Sequence, residues 1–214
     1  MQNEVSPEVS EIRHADHEID AVFLNRWSPR AFDSRPVEDE KLMRVFEHAR
    51  WAASSYNEQP WRFLIARSEE DRTRFVSFLL PANQVWAKDA PVLVVFCSKK
   101  TFAHNGSPNR VYQFDAGTAS GYFALGAAQN GLIAHGMAGF DEEQARATLG
   151  LPSDFDPIAV FALGYHGDKA NLPEGYAKNE VPSDRRPISE SIMEGRFISD
   201  EEKLAEADTQ IDKV

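Results

Sequence analysis

The sequence contains a single cysteine, Cys97, in 214 residues, which excludes an internal disulfide framework and a metal site built from several thiolates. Its longest apolar run, Pro91–Cys97, is far shorter than the roughly 20 residues that a membrane-spanning helix needs. No positively charged segment followed by an apolar stretch opens the chain, so the sequence predicts no secretory signal. These absences favour a cytoplasmic protein.

Basic residues are also scarce. There are 23 Lys and Arg against 34 Asp and Glu, which gives a net charge of −11. This balance argues against a general nucleic-acid-binding protein, because such proteins need a basic surface. The hydrophobic fraction of 42% is enough to build a core and argues against disorder. If the protein binds a small anion, its arginines must be concentrated locally against the overall negative field.

Common catalytic motifs are missing as well, since no P-loop, GxGxxG or HExxH pattern occurs. His14 and His17 lie three residues apart beside Glu18, but in an acidic segment a solvated helix face is the simpler interpretation. Cys97 lies inside an apolar run, where a buried and inert thiol is expected. The sequence therefore predicts neither a metal site nor a catalytic nucleophile.

Hydrophobic periodicity predicts helices and strands in mixed order. Strands are predicted at Trp61–Ala66, Pro91–Cys97 and Pro157–Leu163. Helices are predicted from near Pro36, from Ser68 to Leu80, from Tyr112 to Asn130, between Asp141 and Gly150, and around 201–207. The order lacks strict βαβ alternation, so we expect an α+β fold with helices flanking one sheet.

The segment 26–32 carries two arginines and a serine at a turn. Planar guanidinium groups pair bidentately with phosphate oxygens, so Arg26, Ser28 and Arg30 suit a phosphate. The alternative is that Arg26 sits favourably at a helix C-terminus while Arg30 is an ordinary surface charge.

Two further segments offer groups for a flat polar ligand. The loop 53–60 is rich in hydroxyls and amides, which both donate and accept hydrogen bonds and suit the edge of a heteroaromatic ring. The segment 131–140 contains glycines that allow close approach of backbone N–H groups. The alternatives are an ordinary polar loop and a glycine-rich turn before a capped helix.

Together these segments resemble the FMN-dependent nitroreductase family. The resemblance rests on Arg-x-Ser-x-Arg-x-Phe at 26–32 and Ala-Ser-Ser-x-Asn-x-Gln-Pro-Trp at 53–61, supported by Gly139-Phe140-Asp141 and Arg185-Arg186-Pro187. It implies an α+β fold with a central, mostly antiparallel sheet flanked by helices, and a homodimer with FMN at each subunit interface. It also implies a polar N-terminal segment 1–18, an FMN-binding domain 19–192 and an acidic tail 193–214.

The resemblance assigns roles to individual residues. Contacts to the FMN phosphate, ribityl chain or ring are implied for Arg26, Trp27, Ser28, Arg30 and Arg185. The resemblance implies that the flavin site of one subunit is completed by residues of the other subunit, namely Ser54, Ser55, Asn57 and, less directly, Gln59. Asn83 is placed at the pyrimidine side of the ring, and Ala138 and Gly139 near flavin N5. Three positions depart from the family pattern, since Trp86, Ala138 and Ser183 stand where many members have Lys, Glu and Lys.

The implied activity is NAD(P)H oxidation with reduction of nitroaromatic, quinone or similar flat acceptors, by ping-pong hydride transfer through flavin N5. No side chain stands out as a catalytic acid or base. Two alternatives stay open: a specialised flavin relative, such as a dehalogenase or a flavin-consuming enzyme, and a flavin- or partner-binding module without turnover. The candidates for the roof over the flavin are Trp86, Phe102, His104, Tyr112 and Phe114, although packing is the simpler role for most.

Overall fold

The computed structural model describes residues 4–199 and residue 202. Within these residues, a four-stranded sheet lies between two layers of helices. The strands are β1 Trp61–Ala66, β2 Val92–Lys99, β3 Ile133–Met137 and β4 Phe155–Gly164. The helices are α1 Pro7–Ser10, α2 Ala21–Asn25, α3 Asp39–Arg50, α4 Glu69–Val76, α5 Pro81–Ala87, α6 Tyr112–Gln129, α7 Glu142–Leu149 and α8 Glu174–Ala177. Short 3₁₀ turns lie at Ser55–Asn57, Lys169–Asn171 and Ile188–Glu190.

The strand order is β1-β2-β4-β3, and each neighbouring pair is antiparallel. The predicted α+β class with an antiparallel sheet flanked by helices is therefore confirmed. β2 lies inside the sheet, and its residues from Val92 to Ser98 are all buried, as its unbroken apolar pattern predicts. Successive side chains of a strand point to opposite faces, so this one strand contributes to a core on each side of the sheet.

The core on one face is aromatic and is covered by α3 and α6. Phe96 of β2 packs against Phe123 of α6, with ring centroids 5.1 Å apart, and Phe46 of α3 lies 5.4 Å from the same ring. The two helices approach closely because Gly126 has no side chain. A Cβ at that position would lie 2.7 Å from the Cβ of His48. The small residues of α6 thus permit tight helix packing.

The opposite face is covered by α4, α5 and α7. These helices, together with the segment that joins α4 to α5, contribute to one buried cluster with Leu93 of β2. Its members from this layer include Phe75, Phe78, Trp86 and Ala145. Burying side chains of this size contributes about 1.5–3 kcal/mol each. The sheet is therefore fixed from both sides and offers a rigid support for the loops at its ends.

Several predicted elements occur at or close to their predicted limits. β1 has the predicted limits, and α6 is one residue shorter than predicted. α7 is capped as its sequence indicates, since the Asp141 carboxylate accepts the Gln144 N–H at 2.9 Å. Gly150 then ends the helix in the left-handed conformation, with φ of 63°.

Two predicted helix limits are wrong. α3 begins at Asp39 and not near Pro36, because Glu38 is in extended backbone and Val37 before it fills the core, where it is 2% exposed. The helix predicted from Ser68 to Leu80 ends at Val76. Leu80 precedes a proline, which disfavours helical backbone there, and a separate helix, α5, starts after it.

The strand β3 is absent from the sequence prediction, which allows for a glycine-rich turn in this region. Its sequence, Ile-Ala-His-Gly-Met, lacks a regular alternation, but it pairs with β4 from Ile133 to Met137. The predicted helix at 201–207 lies outside the described residues apart from residue 202. Among the described helices, none combines the length and the apolar character needed to cross a membrane.

Candidate functional site

The segment 26–32, called here the arginine turn, is attached to the chain that leaves β4. The Gly167 N–H donates a hydrogen bond to the Ala31 carbonyl at 2.9 Å, and Phe32 forms an isolated bridge with His166. The backbones lie so close that a Cβ on residue 167 would be 2.5 Å from the Phe32 carbonyl carbon. The arginine turn is therefore fixed relative to the sheet.

Four arginines line a single cavity of about 380 Å³, called here the arginine cavity. Five residues singled out by the sequence analysis lie around it: Arg26, Trp27, Ser28, Arg30 and Arg185. Arg185 is more than 150 positions from the arginine turn, so these side chains meet only through the fold. The fourth arginine is Arg13, which the sequence analysis does not identify.

The arginines of this cavity repel one another. Burial, and then the charge of Arg185, lower the pKa of Arg26. Burial and the charges of Arg185 and Arg26 likewise lower the pKa of Arg13, while Asp184 acts in the opposite direction. Arginine remains protonated in proteins, so the repulsion persists. An anion in the cavity would relieve it, and two or more guanidinium groups are the usual ligands of a phosphate.

Arg13 connects three parts of the chain beneath the cavity. Its guanidinium donates to the Leu24 carbonyl at 2.6 Å, to the Arg26 carbonyl at 2.8 Å and to the Ser183 carbonyl at 2.9 Å. It is 8% exposed although it belongs to a segment that is polar and acidic in sequence. No local pattern distinguishes it from the charged residues around it, so the sequence offers no signal for this role.

Glu180 is a second residue that the sequence analysis does not identify. It is 2% exposed, and its Oε1 accepts the backbone N–H groups of Arg30 at 2.6 Å and of Ala31 at 2.7 Å. His166 Nε2 lies 4.0 Å from the same oxygen. Oε2 has no hydrogen-bond partner among the described residues. A buried carboxylate thus holds the middle of the arginine turn.

His135 of β3 forms one wall of the arginine cavity. Its Nδ1 lies 3.0 Å from the Pro29 carbonyl, and its ring lies 4.4 Å from that of Trp86. Burial lowers the pKa of His135, opposed by its contact with the Pro29 carbonyl, and the charge of Arg30 lowers it further. The neutral form is therefore favoured. Because the Pro29 carbonyl only accepts, Nδ1 donates to it and Nε2 is left as a hydrogen-bond acceptor.

The loop 54–59, called here the polar loop, does not line the arginine cavity. Its backbone is unusual because Tyr56, Asn57 and Gln59 all have positive φ, at 52°, 55° and 49°. For residues other than glycine, this conformation costs about 1–3 kcal/mol each and clusters at functional sites. The buried Asp115 of α6 accepts the Ser55 N–H with both carboxylate oxygens, at 3.2 and 3.3 Å.

Inside the polar loop, side chains bond to backbone. Ser54 Oγ accepts the Gln59 N–H at 3.0 Å, and Gln59 Nε2 donates to the Asn57 carbonyl and to its side-chain oxygen, both at 3.1 Å. These bonds hold the amide groups in one arrangement at the protein surface. The four predicted polar-loop residues are therefore grouped together, but apart from the arginines of the same chain.

Asn83, Ala138 and Gly139 form a third group, where α5 meets the end of β3. Asn83 Nδ2 donates to the Gly139 carbonyl at 2.9 Å, and the Leu80 N–H donates to the same oxygen at 3.0 Å. A Cβ on Gly139 would lie 2.7 Å from Asn83 Nδ2. The glycine is therefore required for the close approach of these two segments.

A second cavity of about 460 Å³ shares Arg26 and Ser28 with the arginine cavity. Small residues of α6, among them Gly117 and Gly121, line it together with Gly136 of β3. A flat group placed there would lie on α6 and β3 with its charged end toward the arginines. The lining of the two cavities, cationic in one and made largely of small residues in the other, suits a ligand with an anionic part and a flat part.

Several other predicted features are resolved by the structure. Cys97 is fully buried, which confirms the predicted burial of the thiol, and burial raises its pKa to about 12. Trp86 is 1% exposed and packs against Phe32, so it is a core residue and not part of a roof. Across residues 4–199 and 202, no three His, Cys, Asp or Glu side chains are grouped closely enough to hold a metal ion.

Comparison with known proteins identifies the family. The model of the nitroreductase family matches residues 24–85 and 76–165. The chain belongs to the nitroreductase family. The arginine turn, the polar loop, Asn83 and Gly139 all lie within the matched region, whereas Arg13, Glu180 and Arg185 lie outside it.

Individual relatives agree with this nitroreductase assignment. An oxygen-insensitive NAD(P)H nitroreductase of Salmonella typhimurium is 27% identical, over 77% of this chain and 96% of its own. An NADH dehydrogenase of Thermus thermophilus is 29% identical, over 76% of this chain and 91% of its own. A solved oxidoreductase containing FMN superposes with a TM-score of 0.83 and 41% identity, over 87% of this chain and 96% of its own.

Proposed function

We propose that the protein is an FMN-dependent NAD(P)H oxidoreductase that reduces flat acceptors such as nitroaromatics and quinones. The observation that carries the proposal is the convergence of four arginines from distant segments on one cavity, in a chain with a net charge of −11. Family membership and the FMN-containing relative support the same cofactor. We further propose that residues 19–192 form the flavin-binding unit.

The donor set of the arginine cavity fits the phosphate of FMN. Guanidinium groups that repel one another are relieved by a dianion, and Ser28 adds a hydroxyl donor. In this arrangement Arg26, Arg30 and Arg185 hold the phosphate, and Arg13 supports them from below. The adjoining cavity along α6 then takes the ring system, with Trp27 at its edge.

When bound, FMN supplies the N5 centre that accepts a hydride from NAD(P)H and passes it to an acceptor. The protein's own residues bind and orient the two partners. Asn83, Ala138 and Gly139 form a narrow junction that we assign to the ring edge, where the carbonyl of Gly139 is already engaged by two donors. NAD(P)⁺ leaves before the acceptor enters, so donor and acceptor use the same space in turn, as in a ping-pong cycle.

We propose that the protein acts as a homodimer with FMN at the subunit interface. The support is that Ser54, Ser55, Asn57 and Gln59 are grouped on a strained polar loop outside the arginine cavity of their own chain. Most homo-oligomers have closed two-fold symmetry, so in the proposed dimer each loop would serve the partner's cavity. The polar loop then supplies amides and hydroxyls to the ring edge of the neighbouring flavin.

Binding and reduction of the flavin test the cofactor assignment. The purified protein should be yellow, and protein stripped of flavin should regain the visible spectrum when FMN is added. Under anaerobic conditions, NADH or NADPH should bleach the flavin band, and a nitroaromatic or a quinone should restore it. A colourless protein that does not bind added FMN would contradict the proposed function. A flavin that stays oxidised would indicate a binding module without turnover.

Acceptor screening separates the general reductase from its specialised relatives. Steady oxidation of NAD(P)H with nitroaromatics or quinones is expected. Bleaching of the flavin without turnover on these acceptors would favour a dehalogenase or a flavin-consuming enzyme. Loss of a halide from an aromatic substrate, or loss of the flavin itself during reaction, would identify which of the two it is.

Complementation tests the shared site. We expect a variant lacking Arg26 and Arg30 and a second variant with Asn57→Ala to be weakly active alone. After unfolding and refolding as a mixture, about a quarter of the sites should combine intact arginines from one chain with an intact loop from the other. Activity of the mixture no higher than that of the separate variants would contradict a site shared between subunits.

A further inference from the structure

Glu180 lies beneath the arginine cavity without lining it. Its neighbours in sequence, Asn179 and Val181, both line the cavity, whereas Glu180 is 2% exposed and turns inward. It meets the arginine turn across a sequence separation of about 150 residues, through two hydrogen bonds from consecutive backbone N–H groups. The carboxylate therefore joins the two segments that carry Arg30 and Arg185.

Burying a carboxylate such as that of Glu180 lowers the stability of the folded protein unless charged or hydrogen-bonding partners compensate for the lost hydration. No lysine or arginine pairs with it in the described part of the chain, and His166 Nε2 lies at 4.0 Å, the outer limit for an ion pair. Its Oε2 is fully buried and unpartnered within that same part. A buried oxygen left without a partner costs about 1–3 kcal/mol. An apolar side chain would avoid this cost, so stability alone does not account for a glutamate here.

The bonds that Oε1 accepts define the shape of the arginine turn. The N–H groups of Arg30 and Ala31 point at one oxygen, so the backbone between Pro29 and Phe32 curves around the carboxylate. Arg30, whose side chain lines the arginine cavity, is one of the two residues held in this way. The Ala31 carbonyl is held from the other direction by the Gly167 N–H, so the turn is fixed between two anchors.

We propose that Glu180 is a positioning residue for the FMN-phosphate site. It holds the arginine turn in the arrangement that binds the phosphate dianion. The inference rests on the proposed function, because it takes the FMN phosphate as the occupant of the arginine cavity. Glu180 does not touch the ligand. It acts through the backbone of Arg30 and Ala31 and, along its own segment, on the approach of Arg185.

Paired flavin titrations test this role. Flavin-free wild-type protein and its variants are titrated with FMN and with riboflavin, which lacks the phosphate, and the quenching of flavin fluorescence gives each Kd. Glu180→Ala removes the acceptor and should raise the Kd for FMN by about 10- to 100-fold, the effect expected when two buried donors lose their acceptor. The Kd for riboflavin should change by less than about threefold, since no phosphate contact is lost.

Two conservative variants distinguish the length of the Glu180 side chain from its charge as the property that matters. Glu180→Gln keeps an oxygen at the same distance and should bind FMN within about threefold of wild type. Glu180→Asp keeps the charge but shortens the side chain by one methylene, and should weaken FMN binding by about 5- to 20-fold. This pair decides the matter even if Glu180→Ala does not fold. The matched control is Glu174→Ala, an exposed glutamate of α8 whose loss should change neither Kd.

Amide hydrogen exchange gives a readout that does not depend on flavin. The Arg30 and Ala31 amides should exchange faster in Glu180→Ala and Glu180→Asp, while those of β2 stay protected. Equal losses of FMN and riboflavin binding, or FMN binding unchanged in every variant, would overturn the positioning role and leave the proposed function intact. Wild-type protein that binds neither flavin would instead overturn the proposed function, and this inference with it.

Discussion

The arginine cavity and the polar loop hold most of the predicted site residues, but they are built in opposite ways. The cavity is assembled from segments up to 170 residues apart and rests on buried groups such as Arg13 and Glu180. The polar loop is built mostly from local bonds, with Tyr56, Asn57 and Gln59 in left-handed backbone. Its long-range hydrogen bonds run to Asp115 and from the Ala103 N–H to Glu58. Long-range assembly brings charges together within one chain, whereas local bonds hold the polar groups that the proposed dimer would present to its partner subunit.

The largest expected effect concerns the cavity. Replacing Arg26 and Arg30 together by alanine should weaken FMN binding by about 10²- to 10⁴-fold, because each charged hydrogen bond contributes about 1.5–3 kcal/mol. Equilibrium dialysis against FMN measures it. The matched control is Arg44→Ala with Arg67→Ala, which removes the same charge from two exposed ion pairs. Full flavin occupancy in the double arginine variant would show that the arginine cavity does not bind the FMN phosphate.

The second prediction concerns the anchor of the polar loop. Asp115→Ala should destabilise the protein by about 1–3 kcal/mol, because the Ser55 N–H loses its buried acceptor. It should also slow flavin reduction by NADH, since the loop no longer holds its amides in place. Urea denaturation and stopped-flow absorbance measure the two effects. Asp89→Ala, at an exposed position, serves as control, and an unchanged polar loop in the Asp115 variant would show that the strain is held elsewhere.

The third prediction concerns the junction between α5 and β3. Gly139→Ala should lower the free energy of unfolding by about 1 kcal/mol, because the new Cβ displaces the Asn83 amide and breaks its hydrogen bond. Asn83→Ala should cost a similar amount, and the double variant should cost less than the sum, since one contact is lost in both. Thermal unfolding of the three variants gives the coupling. Strict additivity would mean that the two residues do not share this contact.

The smallest effect is expected at Cys97, which lies in the core outside both regions. Cys97 has its pKa raised by burial from 9.0 to about 12, so a thiol reagent at pH 8 should not label the native protein. In urea the same reagent should label one thiol per chain. As pH rises from 9.0 toward 12, the unfolded thiol loses its proton before the folded one, so stability should fall in this range. Rapid labelling of native protein would indicate opening of the sheet.

The fold was largely predictable because local signals and packing agree in most elements. The apolar run of β2, the small residues of α6 and the caps of α7 each have one reasonable interpretation. β3 has none, since its alternation is broken by His135 and Gly136, and only pairing with β4 makes it a strand. Boundaries failed where tertiary packing overrode the local signal, as at Val37.

The candidate site was predictable to a different degree. The arginine turn and the polar loop are contiguous, so their composition is visible in sequence. Arg13 and Glu180 are single charged residues in polar stretches, and burial alone distinguishes them from their neighbours. Trp86 is the converse case, because an aromatic residue in a polar context suggests a ligand contact, but its ring fills the core beside Phe32. Long-range burial leaves no local trace.

The tie from Arg13 to Ser183 has a consequence for biosynthesis. These residues are 170 positions apart, and Glu180 reaches the arginine turn over nearly the same span. During translation, the sheet core can begin to form while the later anchors are still inside the ribosome. A nascent chain therefore has no complete arginine cavity until Glu180 and Ser183 have emerged, and a ligand of this cavity should bind only after the sheet core can form.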